Sequence, residues 1–512
     1  MRVLAASLGP MSESAGWSAH LPAGAAFDPG RLAAHALPEA WAAHWSRAPE
    51  RPALAEAGGA WLSWGGLEAG SARAAGRLHG AGLRAGDRVL MSAHGSLALA
   101  LAHVACLRLG LVLVPANPAY RAAELRQLLG DARPRAAVVD DAERAKGLAS
   151  LDPALRVTTP ALDWADAPVP ALDRVAPGAT ALLAYTSGTT GRAKGALLSH
   201  GNLHATAEAL RVAWRWTPED RLVHALPLFH MHGLGVALHG TLQAGASALL
   251  LPRFDPDAVL DAIEASAATL FFGVPTMLHR LADHPHAAAL RRLRLLVSGS
   301  APLAAELHAR LAERTGQVCL ERYGMTETGM LVSNPIDGER RPGTVGFPLP
   351  GLALRLAASG EIEVRGPNVF AGYLDRPDAN AEAFTADGWF RTGDLGALDA
   401  EGRLSIVGRA KELVISGGYN VHPREVEEAL LAHPAVREAA VVGTPSREWG
   451  ELVTAYLVSE REVGLDELRR HLAERLASFK HPRVVHRVEE LPRNALGKVQ
   501  RHRLRDGCVL PE

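Results

Sequence analysis

Cysteine is scarce in this 512-residue chain: Cys106, Cys319 and Cys508 are odd in number, far apart and without any CxxC spacing. Neither a disulfide framework nor a zinc site follows from that pattern, and a cytosolic (cytoplasmic) setting is the default expectation. An excess of either charge is also missing. With 54 basic and 55 acidic side chains the net charge is -1, so no long-range field draws the chain to nucleic acid or an anionic membrane. The N-terminus has a brief apolar patch broken by Gly9 and Pro10, too short for a signal-peptide core. Residues 1–25 read as a flexible leader, with Met11 a second candidate start. The most apolar window, SLALALAHVACLRLGLVLVP (96–115), is interrupted by His103, Arg108 and Gly110, and reads as a buried helix followed by a short strand rather than a membrane span. No repeat or low-complexity tract stands out.

What the chain does have is apolar bulk, 48% of its residues, over a length greater than one core normally organises, so two or more domains are expected. Apolar runs at 88–91, 111–115, 135–139, 181–186, 246–251, 269–273 and 293–298 read as strands. Between them, 122–130, 201–213, 257–265 and 304–315 read as helices. This alternation predicts α/β architecture with largely parallel sheets and ligand sites in the loops after strand ends. Residues 343–399 are rich in Gly, Pro and short alternating runs and predict hairpins. A compact unit follows Arg409: a strand at 412–415, a loop at 416–420, a helix opened by Pro423 and running to about Leu431, strands at 438–443 and 453–458, and a helix at 465–477. A boundary at 408–411 then separates domains 26–408 and 409–512.

One stretch, AYTSGTTGRAKGALLSHGN (184–202), has the order strand, Gly/Ser/Thr loop, lysine. Loops of this composition are commonly plain turns. Coming straight off a buried strand, however, the glycines can turn backbone N–H groups toward an anion, the hydroxyls add donors, and Lys194 adds a point charge. Ala193 and Gly195 flank that lysine where a Walker A loop needs Gly and Ser or Thr, which disfavours a P-loop kinase or ATPase. The loop alone says nucleotide phosphates.

Further along, YGMTE (323–327), TGD (392–394), GRAK (408–411), SGGYN (416–420) and NALGK (494–498) follow TSGTTGRAKG (186–195). In this order and spacing the chain resembles the acyl-adenylate-forming (AMP-binding) enzymes, and LERYGMTETGM, GTVGFPLPG and GEIEVRGPNVFAGY are most similar to the malonyl-CoA synthetases among them. The resemblance implies a large N-terminal domain of parallel-rich sheets with a β-rich subdomain, and a small mobile α+β C-terminal domain. It implies attack of a carboxylate on the α-phosphorus of ATP, giving acyl-AMP and pyrophosphate, then displacement of AMP by coenzyme A.

The residue roles carry over from the same resemblance. Thr186, Ser187, Gly188, Thr189, Thr190, Gly191 and Lys194 would bind the ATP phosphates, and Glu327 would hold Mg2+. Gly299, Ser300, Ala301 and Pro302 would line the adenine, with Tyr323 stacked on it and Arg322, Gly324, Met325 and Thr326 alongside. Asp394 would accept hydrogen bonds from the ribose hydroxyls, assisted by Arg409; read without the resemblance, Asp394 is a turn residue after Gly393. Lys498, Glu327 and Thr186 would be catalytic, Lys498 bridging the carboxylate and phosphate oxygens. Ser416, Gly417, Gly418 and Tyr419 would meet coenzyme A after rotation about a hinge at Lys411.

For the acyl group, the i, i+2 spacing of His230 and His232, with no third ligand nearby, argues against a metal site. The resemblance implies instead that His230, Met231, Ser300 and Met330 line the acyl pocket. It likewise implies that Arg280 and Arg322 hold the second carboxylate of a short dicarboxylic acid, for which two guanidiniums are planar bidentate donors, and so implies malonate, with methylmalonate tolerated. Open alternatives are a short- or medium-chain monocarboxylate or fatty acyl-CoA synthetase, a carrier-protein-loading adenylation enzyme, and a non-catalytic nucleotide-binding protein. Small molecules are the expected partners, and a monomer or homodimer the expected state.

Overall fold

Runs such as Ala136–Val139, Ser247–Leu250, Leu270–Gly273 and Leu295–Ser298 are buried at every position. Strands covered on both faces need such continuous apolar runs, and parallel sheets sandwiched by helices provide that cover. The computed structural model describes residues 16–25, 27–32, 35–186, 193–416, 419–446, 449–473, 475–494 and 497–505. The expected leader falls mostly outside them, as do Ser187, Gly188, Thr189, Thr190, Gly191, Gly417, Gly418 and Cys508.

The chain divides into two compact units, Met1–Arg355 with Val364–Phe390, and Leu356–Glu363 with Arg391–Glu512. The first contains two large sheets. A nine-stranded sheet is parallel from Pro52–Glu56 through Ser247–Leu250, Arg221–His224, Leu270–Gly273 and Leu295–Ser298 to Leu320–Met325, then continues antiparallel through Gly329–Ser333. The seven-stranded sheet is parallel from Arg156–Thr158 to Thr180–Thr186 and adds two antiparallel strands, Lys194–Ser199 and Gly372–Tyr373. The Val223, Ile263, Phe271 and Leu296 side chains belong to a core on one sheet, and Leu90, Val114, Leu128 and Leu183 to a core on the other.

The window at 96–115 folds as expected, into the helix Leu97–Leu109 and the strand Val112–Pro115. Ser96 caps the helix through its Oγ, which accepts the Leu99 N–H, and Gly110 ends it at φ +76°. Arg108, buried near the end of this helix, is matched by Asp173, with Nε to Oδ1 at 3.0 Å and Nη2 to Oδ2 at 2.8 Å. Among the described residues no helix is long and apolar enough to cross a membrane.

The second unit has its own sheet, ordered Tyr419–Val421, Val414–Ser416, Gly450–Ser459, Val436–Ser446, with Val484–Arg487 parallel to Gly450–Ser459. Val426 and Leu430 of the helix Pro423–Leu431 pack into a core with Val441, Val453 and Leu468. Three local expectations need correction. The strand placed at 412–415 begins at Val414, because Ala410–Glu412 closes a 3-10 turn before it. The helix placed at 465–477 is Leu465–Ala473, followed by the separate turn Ser478–Lys480. The hairpin segment also contains a short helix, Pro377–Ala383, opened by a proline whose missing N–H costs nothing at a first helical turn. The second unit takes in residues 356–363 and 391–407, which precede the expected boundary at 408–411.

Candidate active site

In the first unit, the strands Thr180–Thr186 and Lys194–Ser199 pair antiparallel with Thr186 opposite Lys194, so the phosphate-loop sequence joins two fixed ends. The Thr186 hydroxyl points back to the Lys194 carbonyl at 3.5 Å. Lys194 Nζ lies over the Tyr373 ring, 5.1 Å from its centroid, and the Tyr373 hydroxyl donates to Glu327 Oε1 at 2.9 Å. Glu327 is buried in the turn between Leu320–Met325 and Gly329–Ser333, and its carbonyl accepts the Phe370 N–H. The loop lysine and the buried acid, distant in sequence, thus meet on one tyrosine. Among the described residues no group of three His, Cys, Asp or Glu stands ready to hold a metal. A hard cation at Glu327 would draw further oxygens from phosphates and water, the ordinary situation of Mg2+.

The strand Leu295–Ser298 delivers Gly299 and Ser300 to its C-terminal end. Ser300 has φ +70°, a conformation uncommon for a side chain other than glycine and one that collects at functional loops. Its Oγ lies 3.3 Å from His232 Nδ1. His232 begins a seven-residue π-helix, His232–Leu238, and wider winding of this kind recurs where helices build sites. Gly233 permits it, since a Cβ there would stand 2.2 Å from the Pro227 carbonyl oxygen.

Arg322 is buried, and its Nε and Nη2 have no hydrogen-bond partner among the described residues. Burial pulls its pKa down to about 9. The same burial, followed by the Arg322 charge, holds His232 well below its usual value and so neutral. Gly299, His232 and Arg322 are buried and Ser300 is half-buried beside them, a group with one cation in it. Met231 and Met330 are buried as well, Met330 against Gly324 and Met231 against Gly235. His230 accepts the His232 N–H on Nδ1 at 3.2 Å.

Arg280 departs from expectation. It is exposed in the last turn of Pro275–Ala282, with its guanidinium over the Phe254 ring at 5.2 Å. The helix's apolar face, through Leu278 and Leu281, turns into the core and leaves Arg280 in solvent. Of the two arginines, Arg322 is buried and Arg280 is exposed.

In the second unit, Asp394 is not a turn residue. It lies in Phe390–Leu398 opposite Arg409, whose Nε is 2.9 Å from Asp394 Oδ1. Its N–H donates to Thr392 Oγ1 at 3.1 Å, and the Gly393 N–H donates to Glu361 Oε1 at 3.0 Å. Lys498 closes a turn with Asn494: the Asn494 N–H donates to the Lys498 carbonyl at 2.9 Å, and the Lys498 N–H to Asn494 Oδ1 at 3.0 Å. Gly497 takes φ +74° within it, which a side chain would resist. The Lys498 side chain keeps an exposed surface, yet neighbouring protein crowds its ammonium. Its pKa is lowered by desolvation first and by Arg409 second, while Asp394 and Glu412 act in the opposite direction. Asp394, Arg409 and Lys498 are thus electrostatic neighbours. Lys411 is exposed in the Ala410–Glu412 turn. Ser416 is buried, and Tyr419 is 57% exposed with its ring stacked on Phe479 at 4.6 Å.

Sequence reasoning missed Tyr373, which no phosphate motif includes, and missed the pairing of His232 with Ser300. Only the position of Tyr373 inside GEIEVRGPNVFAGY pointed toward it.

The AMP-binding enzyme model matches residues 41–374, and the model of the AMP-binding enzyme C-terminal domain matches residues 425–498. A feruloyl-CoA synthase of Amycolatopsis is 38% identical over 466 residues, covering 88% of this chain and 94% of that protein. A malonate–CoA ligase of Mus musculus, a mitochondrial protein, is 39% identical over 372 residues, covering 63% of this chain and 64% of that protein. The crystal structure of ATP-bound MatB from Rhodopseudomonas palustris superposes with a TM-score of 0.86 at 40% identity, covering 92% of this chain and 98% of that one.

Proposed function

The chain belongs to the AMP-binding enzymes, and from that premise we propose that it is an acyl-CoA synthetase that activates malonate, with methylmalonate as a second substrate. The class of reaction is acid–thiol ligation, and its relatives disagree on the acid. A feruloyl group ends in an aromatic ring; malonate ends in a carboxylate. The observation that supports malonate is Arg322, a buried guanidinium with two nitrogens lacking partners among the described residues. An unpaired buried cation is costly, and a planar carboxylate would meet Nε and Nη2 together. An aromatic or aliphatic acyl group would leave it unmet.

The remaining roles follow the chemistry of each side chain. Thr186 and Lys194 bind phosphate oxygens. Glu327 holds Mg2+, which when bound neutralises phosphate charge. Tyr323 stacks on adenine, with the strained loop at Ser300 on its other side. Asp394 accepts both ribose hydroxyls while Arg409 keeps it oriented. Lys498 stabilises the charge that accumulates as the carboxylate attacks the α-phosphorus and pyrophosphate departs. Ser416 and Tyr419 flank the loop that receives coenzyme A, and Lys411 is the pivot between the two half-reactions. We place the reaction in the cytoplasm.

The test is AMP release with ATP, Mg2+ and coenzyme A across malonate, methylmalonate, succinate, acetate, octanoate and ferulate, with Arg322→Met and Arg280→Ala beside the parent. Malonate preferred by about a hundredfold over acetate, lost in Arg322→Met and kept in Arg280→Ala, is the expected result. Ferulate or octanoate used as well as malonate would remove malonate and leave the ligase.

A further inference from the structure

We propose that Tyr373 is a positioning residue for ATP binding: its hydroxyl aims Glu327 at the metal, and its ring holds Lys194 toward the phosphates. The inference rests on the reading of Glu327 and Lys194 given above and goes beyond it, since no motif assigns Tyr373 a role.

Tyr373 is fixed from several directions. Gly372 and Tyr373 pair with Leu197 and Ala196 of the strand that begins at Lys194. The Leu374 N–H donates to the Gly195 carbonyl at 2.8 Å. Asn380 brackets the Tyr373 backbone, its Oδ1 accepting the Tyr373 N–H at 2.7 Å and its Nδ2 donating to the Tyr373 carbonyl at 3.0 Å. Gly372, at φ +143°, lies so close to that amide that a Cβ would stand 3.0 Å from Asn380 Oδ1. Phe370 packs edge-on against the Tyr373 ring at 4.8 Å, and its N–H donates to the Glu327 carbonyl at 2.9 Å. One short segment therefore grips both the backbone and the carboxylate of Glu327, and is stitched to the strand of Lys194.

The consequence is electrostatic. A free carboxylate and a free ammonium this near a common partner would tend to close into an ion pair, which ATP and Mg2+ would then have to break. Tyr373 gives each a separate contact: its hydroxyl donates to one oxygen of Glu327, and its π face steadies Lys194 without neutralising it. The phosphate side is thereby organised before ligand arrives.

The test uses the full chain with Tyr373→Phe, which keeps the ring and deletes the hydroxyl, and Tyr373→Leu, which deletes both. ATP binding is followed by calorimetry in EDTA and across a Mg2+ titration, with thermal melting as a check on folding and the adenylation kcat and KM alongside. Tyr373→Phe should bind ATP in EDTA as the parent does but need about tenfold more Mg2+ for half-saturation, the size expected for losing a hydrogen bond to a charged group. Tyr373→Leu should in addition bind ATP several-fold more weakly in EDTA. An unchanged Mg2+ requirement in Tyr373→Phe, or identical behaviour of the two variants, would overturn the proposal. A parent that binds no ATP would instead overturn the function proposed above.

Discussion

Gly299 lies directly against the guanidinium of Arg322: a Cβ on Gly299 would stand 2.1 Å from Arg322 Cζ and 2.3 Å from Nε. Space for a buried cation is made by the side chain that Gly299 lacks. Gly299→Ala should therefore displace Arg322 while adding only one methyl group. We expect malonate kcat/KM to fall by about tenfold or more, the worth of one charged hydrogen-bonding group, with a smaller change in the KM for ATP. Malonate kinetics equal to the parent's would mean that Arg322 does not read the acid.

Asp394 faces Arg409 across neighbouring strands with its carboxylate 2.9 Å from Nε. If it receives both ribose hydroxyls, Asp394→Ala should raise the KM for ATP by about ten- to a hundredfold. The parent should also discriminate against 2′-deoxy-ATP and the variant should not. Equal discrimination in both would move the ribose contact elsewhere.

Lys498 combines an exposed surface with a pKa lowered by crowding and by Arg409. Such a lysine contributes little to packing, so Lys498→Ala should melt with the parent. Adenylation, measured as malonate-dependent exchange of pyrophosphate into ATP, should fall by about a hundredfold or more. Coenzyme A capture of chemically prepared malonyl-AMP should persist. Loss of both half-reactions together would contradict a role confined to the first.

Strands buried on both faces were legible, because a run such as LFFG has no polar residue to place it anywhere else; Leu270–Gly273 is where the sequence put it. Helix ends carrying a proline were legible too, as at Pro423. Arg280 was singled out by the resemblance alone, and only the helical phase shows that it meets water while its neighbour Leu281 is core. Read without the resemblance, Asp394 looks like a turn residue because Gly393 precedes it, whereas pairing with Leu404–Arg409 extends the strand through it. Tyr373 was hard to see because its partners, Lys194 and Glu327, lie far from it in sequence and are brought to it by the strand pairing of 372–373 with 196–197 and by the Phe370 N–H on the Glu327 carbonyl. Chemistry assembled by register leaves no mark in spacing.

An unusual number of histidines are buried and neutral in the first unit, and this fixes a pH dependence of stability. Burial lowers His20, His200 and His224 from 6.5 to about 4, and His103 to about 3. His103 Nε2 and His239 Nε2 lie 2.8 Å apart, so one ring donates and the other accepts, and a proton added to the pair would leave two donors facing each other. His200 adds a like-charge penalty to both. Because the native pKa values lie below 6.5, the unfolded chain takes up protons first as pH falls, and unfolding gains free energy with each one. Stability should therefore be constant in this respect above about pH 7 and drain away from pH 6.5 toward pH 4, with a drop in melting temperature on the order of 5 °C by pH 5. His103→Gln, a neutral residue able to donate to His239, should keep the fold and flatten part of that slope. A melting temperature that stays level between pH 7 and pH 5, or a slope unaltered by His103→Gln, would show that these rings do not carry the acid sensitivity.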